Sequence, residues 1–195
     1  IVALPPPLCH KITYSPPLPP LREQLTSRMP MGSTIKFNIL YKNAFWRKNG
    51  FSGEMVSDIG PMSVMYDKSY KNMNALVGII AGASAREWSG KTSEERQKAV
   101  LDQIYRCFKN DEAYQPIKVV EHDWLKEEFS RGCYMAVMPP GLMSSCAKAL
   151  RQPVGKIHFA GTETADVWIG YIDGALNSGI RAAHEVKNAL QTSKL

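Results

Sequence analysis

The chain has 195 residues, 44% of them hydrophobic and 22% charged, and a formal net charge of +6. These values exclude an intrinsically disordered chain and predict a globular protein large enough to bury a sizeable core. The basic residues are too scattered for a nucleic-acid-binding arm, and no apolar run reaches the ~20 residues that span a membrane. The four cysteines form no CxxC pair, which argues against a metal site or disulfide framework and favours a reducing compartment.

The first eighty residues are rich in strand signals. Residues 1–4 form a short apolar run that prolines end, which predicts a buried strand. Because the chain opens inside this strand and without Met, we expect it to be a piece of a longer protein. The prolines of residues 16–20 predict an extended connector, and the alternation over residues 34–41 predicts a strand with one apolar face. With a hairpin turn at Asn49-Gly50 and a further strand at 75–81, the region predicts a mostly antiparallel sheet.

Two helices have clear sequence signals. A capping-box pattern at residues 92–95 precedes apolar residues at helical spacing, so residues 92–108 predict a helix. Residues 172–190 carry a second apolar stripe, formed by Ile172, Leu176, Gly179, Ala183, Val186 and Leu190. Gly174 and Gly179 each lower helix propensity by roughly 1 kcal/mol, which indicates that something packs closely against this helix.

The stretch from residue 159 to 190 has the layout of a ligand site. A predicted strand at 156–160 leads through a Gly-Thr-Glu-Thr turn at 161–164 and an aromatic-bearing loop into the last helix. This layout directs backbone N–H groups and a helix N-terminus towards one point, where an anionic or electron-rich ligand is stabilised. Glu163 in the turn is predicted either to bind a ribose hydroxyl or to cap the turn.

Four further side chains each have two interpretations. Cys133 is either a small buried hydrophobe or a reactive thiolate. Tyr134 and Tyr171 are either packing or interface residues or functional aromatic faces, which carry a negative potential. Lys36 lies on the polar face of its strand and is either simply solvated or functional. The residues alone leave these alternatives open.

Several motifs resemble those of the flavin-dependent amine oxidases, most closely the monoamine oxidases, and the resemblance covers nearly the whole chain. Residues 130–134, Ser-Arg-Gly-Cys-Tyr, are similar to the family's Ser-Gly-Gly-Cys-Tyr motif, whose cysteine forms a thioether to the 8α-methyl group of FAD. Residues 161–164 match the family's Gly-Thr-Glu-Thr turn against the flavin. Residues 168–171, Trp-Ile-Gly-Tyr, are similar to its Trp-Ser-Gly-Tyr motif.

The resemblance implies the residues of a site. The implied catalytic residues are Lys36, which holds a water beside the flavin N5, and Tyr134 and Tyr171, which form two walls of an aromatic cage. Ile79 and the same two tyrosines are implied to contact the substrate, and no metal is implied. The residues implied to bind the cofactor, FAD, are Cys133, Trp124, Gly161, Thr162, Glu163, Trp168 and Ile172.

The resemblance also implies a fold of the α+β or α/β class. It consists of an amine-oxidase-like substrate domain, with a mixed, mostly antiparallel sheet and helices, and the C-terminal strand–turn–helix portion of a Rossmann-like FAD-binding domain. Together with the composition shift near residue 115, the resemblance assigns residues 1–14 and 116–195 to the FAD-binding domain. It assigns residues 15–115 to the substrate-binding domain. The sequence contains no Gly-x-Gly-x-x-Gly fingerprint, so we expect these 195 residues to be inactive by themselves.

The implied reaction is the oxidative deamination of primary or secondary amines to aldehydes, with O2 reduced to hydrogen peroxide. The alternatives are a polyamine or amino-acid oxidase, or a truncated, non-catalytic substrate-domain binding module. The implied partners are a small-molecule amine and O2, without nucleic acid; a homodimer and a membrane-anchoring tail outside these residues also belong to the family's properties. The implied location is the mitochondrial outer membrane, with the cytoplasm as the alternative. Arg131 replaces the family's first motif glycine and would crowd the attachment loop, so covalent linkage of FAD stays open.

Overall fold

A computed structural model describes residues 1–192 of the chain. The chain divides into two compact units. One, here called the sheet unit, is the continuous segment Ser33–Gly132; the other, here called the split unit, combines Ile1–Gly32 with the segment that begins at Cys133. The assignment of residues 15–115 to a substrate-binding domain concerns function rather than compactness, and it stays a prediction.

Five strands form one antiparallel sheet in the sheet unit, within the described part of the chain. Their order in the sheet is β2-β3-β4-β1-β5. The strands are β1 (Thr34–Tyr41), β2 (Met55–Val56), β3 (Val64–Asp67), β4 (Asn74–Ala81) and β5 (Lys118–Asp123). The alternation read from residues 34–41 is confirmed, because Ile35, Phe37 and Ile39 are fully buried in one core while the residues between them are less so.

Helices complete this core. They are α2 (Phe45–Lys48), α3 (Gly82–Ser89) and α4 (Ser93–Phe108). Helix α4 begins with the capping box that the sequence predicts: the Glu95 N–H donates to Thr92 Oγ1 at 3.2 Å, and the Thr92 N–H donates to Glu95 Oε2 at 2.8 Å. Its apolar face, including Val100, Ile104 and Phe108, joins the core cluster of β1.

The predicted hairpin at Asn49-Gly50 is wrong. Phe45 and Trp46 form the short helix α2 instead of a strand, and Asn49 ends that helix. Both rings are fully buried, and Phe45 contacts Tyr41 and Phe108 edge-on at 5.1 and 5.8 Å between ring centroids. Burial of these two large aromatic rings therefore overrides the local turn signal.

The split unit contains α1 (Pro20–Arg28), α5 (Leu142–Cys146) and α6 (Ile172–Thr192), with 3-10 turns at Pro6–Lys11, Ala147–Leu150 and Thr162–Thr164. The predicted strands at 1–4 and 156–160 meet in a single parallel bridge between Val2 and Phe159. The Val2 N–H donates to the His158 carbonyl at 2.8 Å, and the Ala160 N–H donates to the Val2 carbonyl at 2.9 Å. A second core lies in this unit; it comprises Leu25, Met29, Ala136, Leu142, Cys146, Ala149 and Leu150.

Helix α6 presents much of its apolar stripe to solvent in this chain. Ile172, Leu176 and Leu190 are exposed, as is Ile180 beside them. The expected close packing at its glycines is confirmed at Gly174, where an added Cβ would lie 2.2 Å from the Trp168 carbonyl oxygen. At Gly179 no atom of the chain lies within 4 Å of an added Cβ. Through residue 192, no helix combines the length and the apolar character needed to cross a bilayer.

Candidate functional site

The loop formed by residues 133–137, here called the Cys133 loop, runs antiparallel to the segment before β1. The Cys133 N–H donates to the Gly32 carbonyl, and the Gly32 N–H donates to the Met135 carbonyl, both at 2.9 Å. A Cβ on Gly32 would lie 2.3 Å from the Cys133 carbonyl oxygen, so a larger residue would displace the loop. The backbone that carries Cys133 and Tyr134 is therefore fixed by its close approach to residue 32.

Glu163 connects the Gly-Thr-Glu-Thr turn to this loop. Its side chain is buried, with 7% of the residue exposed, and its Oε1 accepts the Ala136 N–H at 2.8 Å. The carboxylate thus joins the turn at 161–164 to the Cys133 loop within the split unit. Whether it also contacts a ribose hydroxyl stays a prediction.

Thr162 connects the same turn to the segment that carries Tyr171. Its Oγ1 accepts the Gly170 N–H at 2.7 Å and donates to the Tyr171 carbonyl at 3.0 Å. Gly161 has φ +114°, a conformation that favours glycine, and its N–H donates to Ser178 Oγ of α6 at 3.0 Å. The turn therefore fixes the position of α6 and of the Tyr171 segment relative to each other.

Three large aromatic side chains are exposed around the start of α6 in this chain. Tyr134, Trp168 and Tyr171 are 65%, 63% and 64% exposed, and the rings of Trp168 and Tyr171 meet edge-on at 5.7 Å. A Cβ on Gly170 would lie 2.8 Å from Met135 Sδ, so the segments that carry the two tyrosines are adjacent. Such a group of exposed rings is typical of a surface that another molecule or segment covers.

The other predicted site residues lie in the sheet unit. Lys36 of β1 is directly opposite Ile79 of β4 and directly opposite His122 of β5, on the sheet face that points away from the buried core residues. Trp124 follows β5, and its ring meets that of His122 at 4.4 Å between centroids. The structure therefore places Lys36 beside Ile79, with Trp124 just beyond the neighbouring strand. Their functional roles stay predictions.

Sequence reasoning missed residues that hold the site together. Gly32, Ala136 and Ser178 act through the backbone or through one hydroxyl, and their partners are far away in the sequence. Neither periodicity nor local motif marks such residues. The available signal for Gly32 was a glycine two residues before β1, since glycine allows another backbone to approach closely.

A model of the family described as flavin containing amine oxidoreductase matches residues 1–187. The chain belongs to this family. It is 49% identical, over its whole length, to the probable flavin-containing monoamine oxidase A of Dictyostelium discoideum and covers 43% of that protein. It is 45% identical to the flavin-containing amine oxidase B of Cavia porcellus, with 97% of this chain and 37% of that protein covered.

Solved structures of family members have the same fold. Cyclohexylamine oxidase from Brevibacterium oxydans IH-35A superposes with a TM-score of 0.90 at 34% identity, over 97% of this chain and 42% of that one. A variant of putrescine oxidase with redesigned cofactor binding gives 0.90 at 31% identity, over 96% and 42%. These matches confirm the predicted amine-oxidase-like fold. The chain spans less than half the length of these relatives.

The family implies FAD, and the split unit has the chemistry to hold its flavin portion. The exposed aromatic rings of Trp168 and Tyr171 lie next to the turn at 161–164, and the 21-residue helix α6 begins there at the exposed Ile172. Backbone N–H groups at a helix N-terminus stabilise an electron-rich ring edge.

Proposed function

We propose that this chain is part of an enzyme for the FAD-dependent oxidative deamination of amines. An amine RCH2NH2, O2 and water give the aldehyde RCHO, ammonia and hydrogen peroxide. The observation that carries the proposal is the convergence, in a chain of this family, of the Cys133 loop, the turn at 161–164 and the Tyr171 segment through the hydrogen bonds of Glu163 and Thr162. These are the segments that the family's motifs assign to the flavin.

Bound FAD would supply the redox chemistry, accepting two electrons and a hydrogen from the amine α-carbon and passing them to O2. The chain's own residues would bind the cofactor and orient the amine. Tyr134 and Tyr171 direct their electron-rich faces towards the amine nitrogen and align it without exchanging a proton. Lys36 would hold a water beside the flavin, Ile79 would contact the substrate, and Trp124 and Trp168 would help to hold the cofactor.

The whole activity requires more than these 195 residues. Relatives at least twice as long share the family, and the sequence contains no Gly-x-Gly-x-x-Gly fingerprint for the FAD pyrophosphate. Residues 1–14 and 116–195 are proposed to form part of the FAD-binding domain, and residues 15–115 part of the substrate-binding domain. A homodimer and attachment to the mitochondrial outer membrane belong to the same proposal, with the cytoplasm as the alternative location.

The activity is tested with the purified full-length protein and a panel of a monoamine, putrescine, a longer polyamine and an amino acid, read by peroxide release. We expect the monoamine to give the largest kcat/KM. The similarity to putrescine oxidase makes a diamine or polyamine the second candidate substrate. Activity limited to putrescine or the polyamine would transfer the assignment to that class, and no peroxide from any of them would contradict the proposal.

The aromatic faces are tested by Tyr171→Leu and Tyr171→Phe. Because the phenyl ring keeps the negative face that attracts the amine, Tyr171→Phe should retain most of kcat/KM, whereas Tyr171→Leu should lower it about tenfold. Tyr70→Leu, at an exposed tyrosine of the sheet unit, is the control and should change nothing. Equal losses in both Tyr171 variants would contradict the role of the ring.

The covalent linkage at Cys133 is tested separately by acid precipitation. The wild-type pellet should stay yellow, and the Cys133→Ser pellet should release its flavin to the supernatant. A colourless wild-type pellet with bound, dissociable FAD would exclude the thioether and leave flavin use intact.

A further inference from the structure

The Ala136 N–H of the Cys133 loop points away from the segment that pairs with the loop. The Gly32 N–H donates to the Met135 carbonyl, and the Val137 N–H donates to the Pro30 carbonyl. These two bonds flank the antiparallel bridge between Met31 and Ala136. In such a pair the N–H of the central residue points out of the ladder, so the Ala136 N–H needs a partner elsewhere.

The Ala136 N–H lies in a place where lack of a partner is costly. Ala136 is fully buried within the core of the split unit. A buried amide without a hydrogen bond costs free energy comparable to the loss of that bond. The donor must therefore be satisfied if the loop is to keep this conformation.

Glu163 supplies the acceptor from the opposite side of the loop. Its Oε1 lies 2.8 Å from the Ala136 nitrogen, and its side chain lines a cavity of about 600 Å³ together with Met135, Met138 and Ile169 and with the basic side chains Lys148 and Arg151. Since a buried donor and a buried acceptor are each unfavourable without a hydrogen-bond partner, each group stabilises the other. The loop is thus bound on both sides, by residues 30–32 and by Glu163.

We propose that Glu163 is a positioning residue that locks the Cys133 loop onto the Gly-Thr-Glu-Thr turn. The same turn fixes the Tyr171 segment through Thr162. Glu163 therefore sets the position of Cys133 and Tyr134 relative to Tyr171, and it does so by accepting one backbone hydrogen bond. The importance of that position for flavin and amine rests on the proposed function; the lock itself does not.

The test compares two isosteric variants of Glu163. Glu163→Gln keeps a side-chain oxygen that accepts the Ala136 N–H, whereas Glu163→Met fills the same space among methionines without an acceptor. Ser178→Ala is the matched control, because it removes the acceptor of the Gly161 N–H at the other end of the same turn. The three variants and the wild type are made in the full-length protein.

The first measurement is amide hydrogen exchange of residues 134–137. Loss of the hydrogen bond to Glu163 should accelerate exchange of the Ala136 amide by about tenfold or more in Glu163→Met. Exchange should stay near the wild-type rate in Glu163→Gln and in Ser178→Ala. Unchanged exchange in Glu163→Met, or an equal acceleration in Ser178→Ala, would overturn the lock.

The second measurement is the amount of flavin retained and the visible absorption spectrum of the bound flavin. Glu163→Met should retain less flavin or shift its spectrum, and Glu163→Gln should restore the wild-type values. Full retention with an unchanged spectrum in Glu163→Met, despite faster exchange at Ala136, would overturn the positioning role. A wild-type protein without flavin would contradict the proposed function, and the exchange data would still decide whether Glu163 locks the loop.

Discussion

Three hydrogen bonds converge on the carboxylate of Asp67 at the end of β3. Trp46 Nε1 and Arg47 Nε donate to Oδ2 at 2.8 and 2.6 Å, and the Ser69 N–H donates to Oδ1 at 2.7 Å. Burial alone would raise the pKa of Asp67, but the donors from Arg47, Ser69 and Trp46 outweigh it and lower the pKa from 3.8 to about 2. The ionised form is therefore the one that the fold stabilises.

This shift predicts a pH dependence of stability. Because the folded-state pKa lies below the ordinary value, Asp67 stabilises the fold above pH 3.8, and this contribution disappears as the pH falls to about 2. We expect Asp67→Asn to lower the free energy of unfolding by about 1–2 kcal/mol at pH 7 and by much less at pH 2. Urea unfolding at both pH values measures the difference.

The control for Asp67 is Asp58→Asn, since Asp58 is exposed in the same unit. It should have little effect at either pH. A loss in Asp67→Asn that is the same at pH 7 and pH 2 would show that the charge of Asp67 is not what stabilises the fold.

At the residue scale, sequence reasoning succeeds where both partners are close in the chain. Thr92 and Glu95 are three residues apart, and their reciprocal capping bonds are as predicted. Glu163 and Ala136 are 27 residues apart, and nothing in the local pattern of either residue indicates the other. The family motif singles out Glu163, but only the folded chain shows its backbone partner.

At the scale of an element, the two early glycines of α6 make a matched pair. Gly174 packs against the Trp168 carbonyl oxygen, with Thr162 Oγ1 also close, whereas the Cβ position of Gly179 is open in this chain. Gly174→Ala forces the backbone at Trp168 to move, and we expect it to destabilise the protein by about 1–3 kcal/mol. Gly179→Ala should instead stabilise it by up to about 1 kcal/mol, because alanine is the better helix former.

Urea unfolding of the two glycine variants measures the stabilities, and the emission of Trp168 reports whether its turn has moved. Only Gly174→Ala should change that emission. If both variants were stabilised equally, the close approach at Gly174 would be refuted. If both were destabilised, a further segment must pack against Gly179.

The lengths of the sequence signals explain why the predicted hairpin at Asn49-Gly50 is wrong and the predicted helices are confirmed. The signals for α4 and α6 extend over 16 and 21 residues, and the apolar face of α4 also joins the core of the sheet unit. The Asn49-Gly50 signal covers two residues, and the buried rings of Phe45 and Trp46 determine the conformation there. A short local signal thus yields to the burial of large side chains.

At the scale of the whole molecule, the predicted site residues fall in both units. Lys36, Ile79 and Trp124 belong to the sheet unit, and Cys133, Tyr134 and Tyr171 belong to the split unit. The family motifs predict both groups from the sequence, because each motif is local. The sequence could not predict that β5 belongs with the first sheet rather than with the residues that follow it, since that pairing with β1 spans about eighty residues.

The sheet unit is predicted to fold by itself as the segment 33–132. The buried residues of its core cluster lie between Ile35 and Ala113, Val119 and Leu125 pack against them, and all five of its described strands pair within the unit. We expect the excised segment to unfold in one cooperative transition, followed by the fluorescence of the buried Trp46 and by near-ultraviolet circular dichroism. A molten segment without a cooperative transition would contradict this expectation.

The segment 15–115 is the informative comparison for that experiment. It lacks β5, so β1 loses the strand that pairs with it from Ile35 to Leu40. It also lacks Glu121, whose Oε1 accepts Arg96 Nε at 2.7 Å, and it therefore leaves the guanidinium of Arg96, a residue only 5% exposed, without its carboxylate. Removal of one partner of a buried ion pair costs about 3–5 kcal/mol, so the segment 15–115 should be much less stable than 33–132.

Arg96→Met in the segment 15–115 should recover part of the loss, because it removes the unpaired charge together with its desolvation cost. Equal stability of the two segments would mean that β5 and its ion pair contribute little to the fold of this unit.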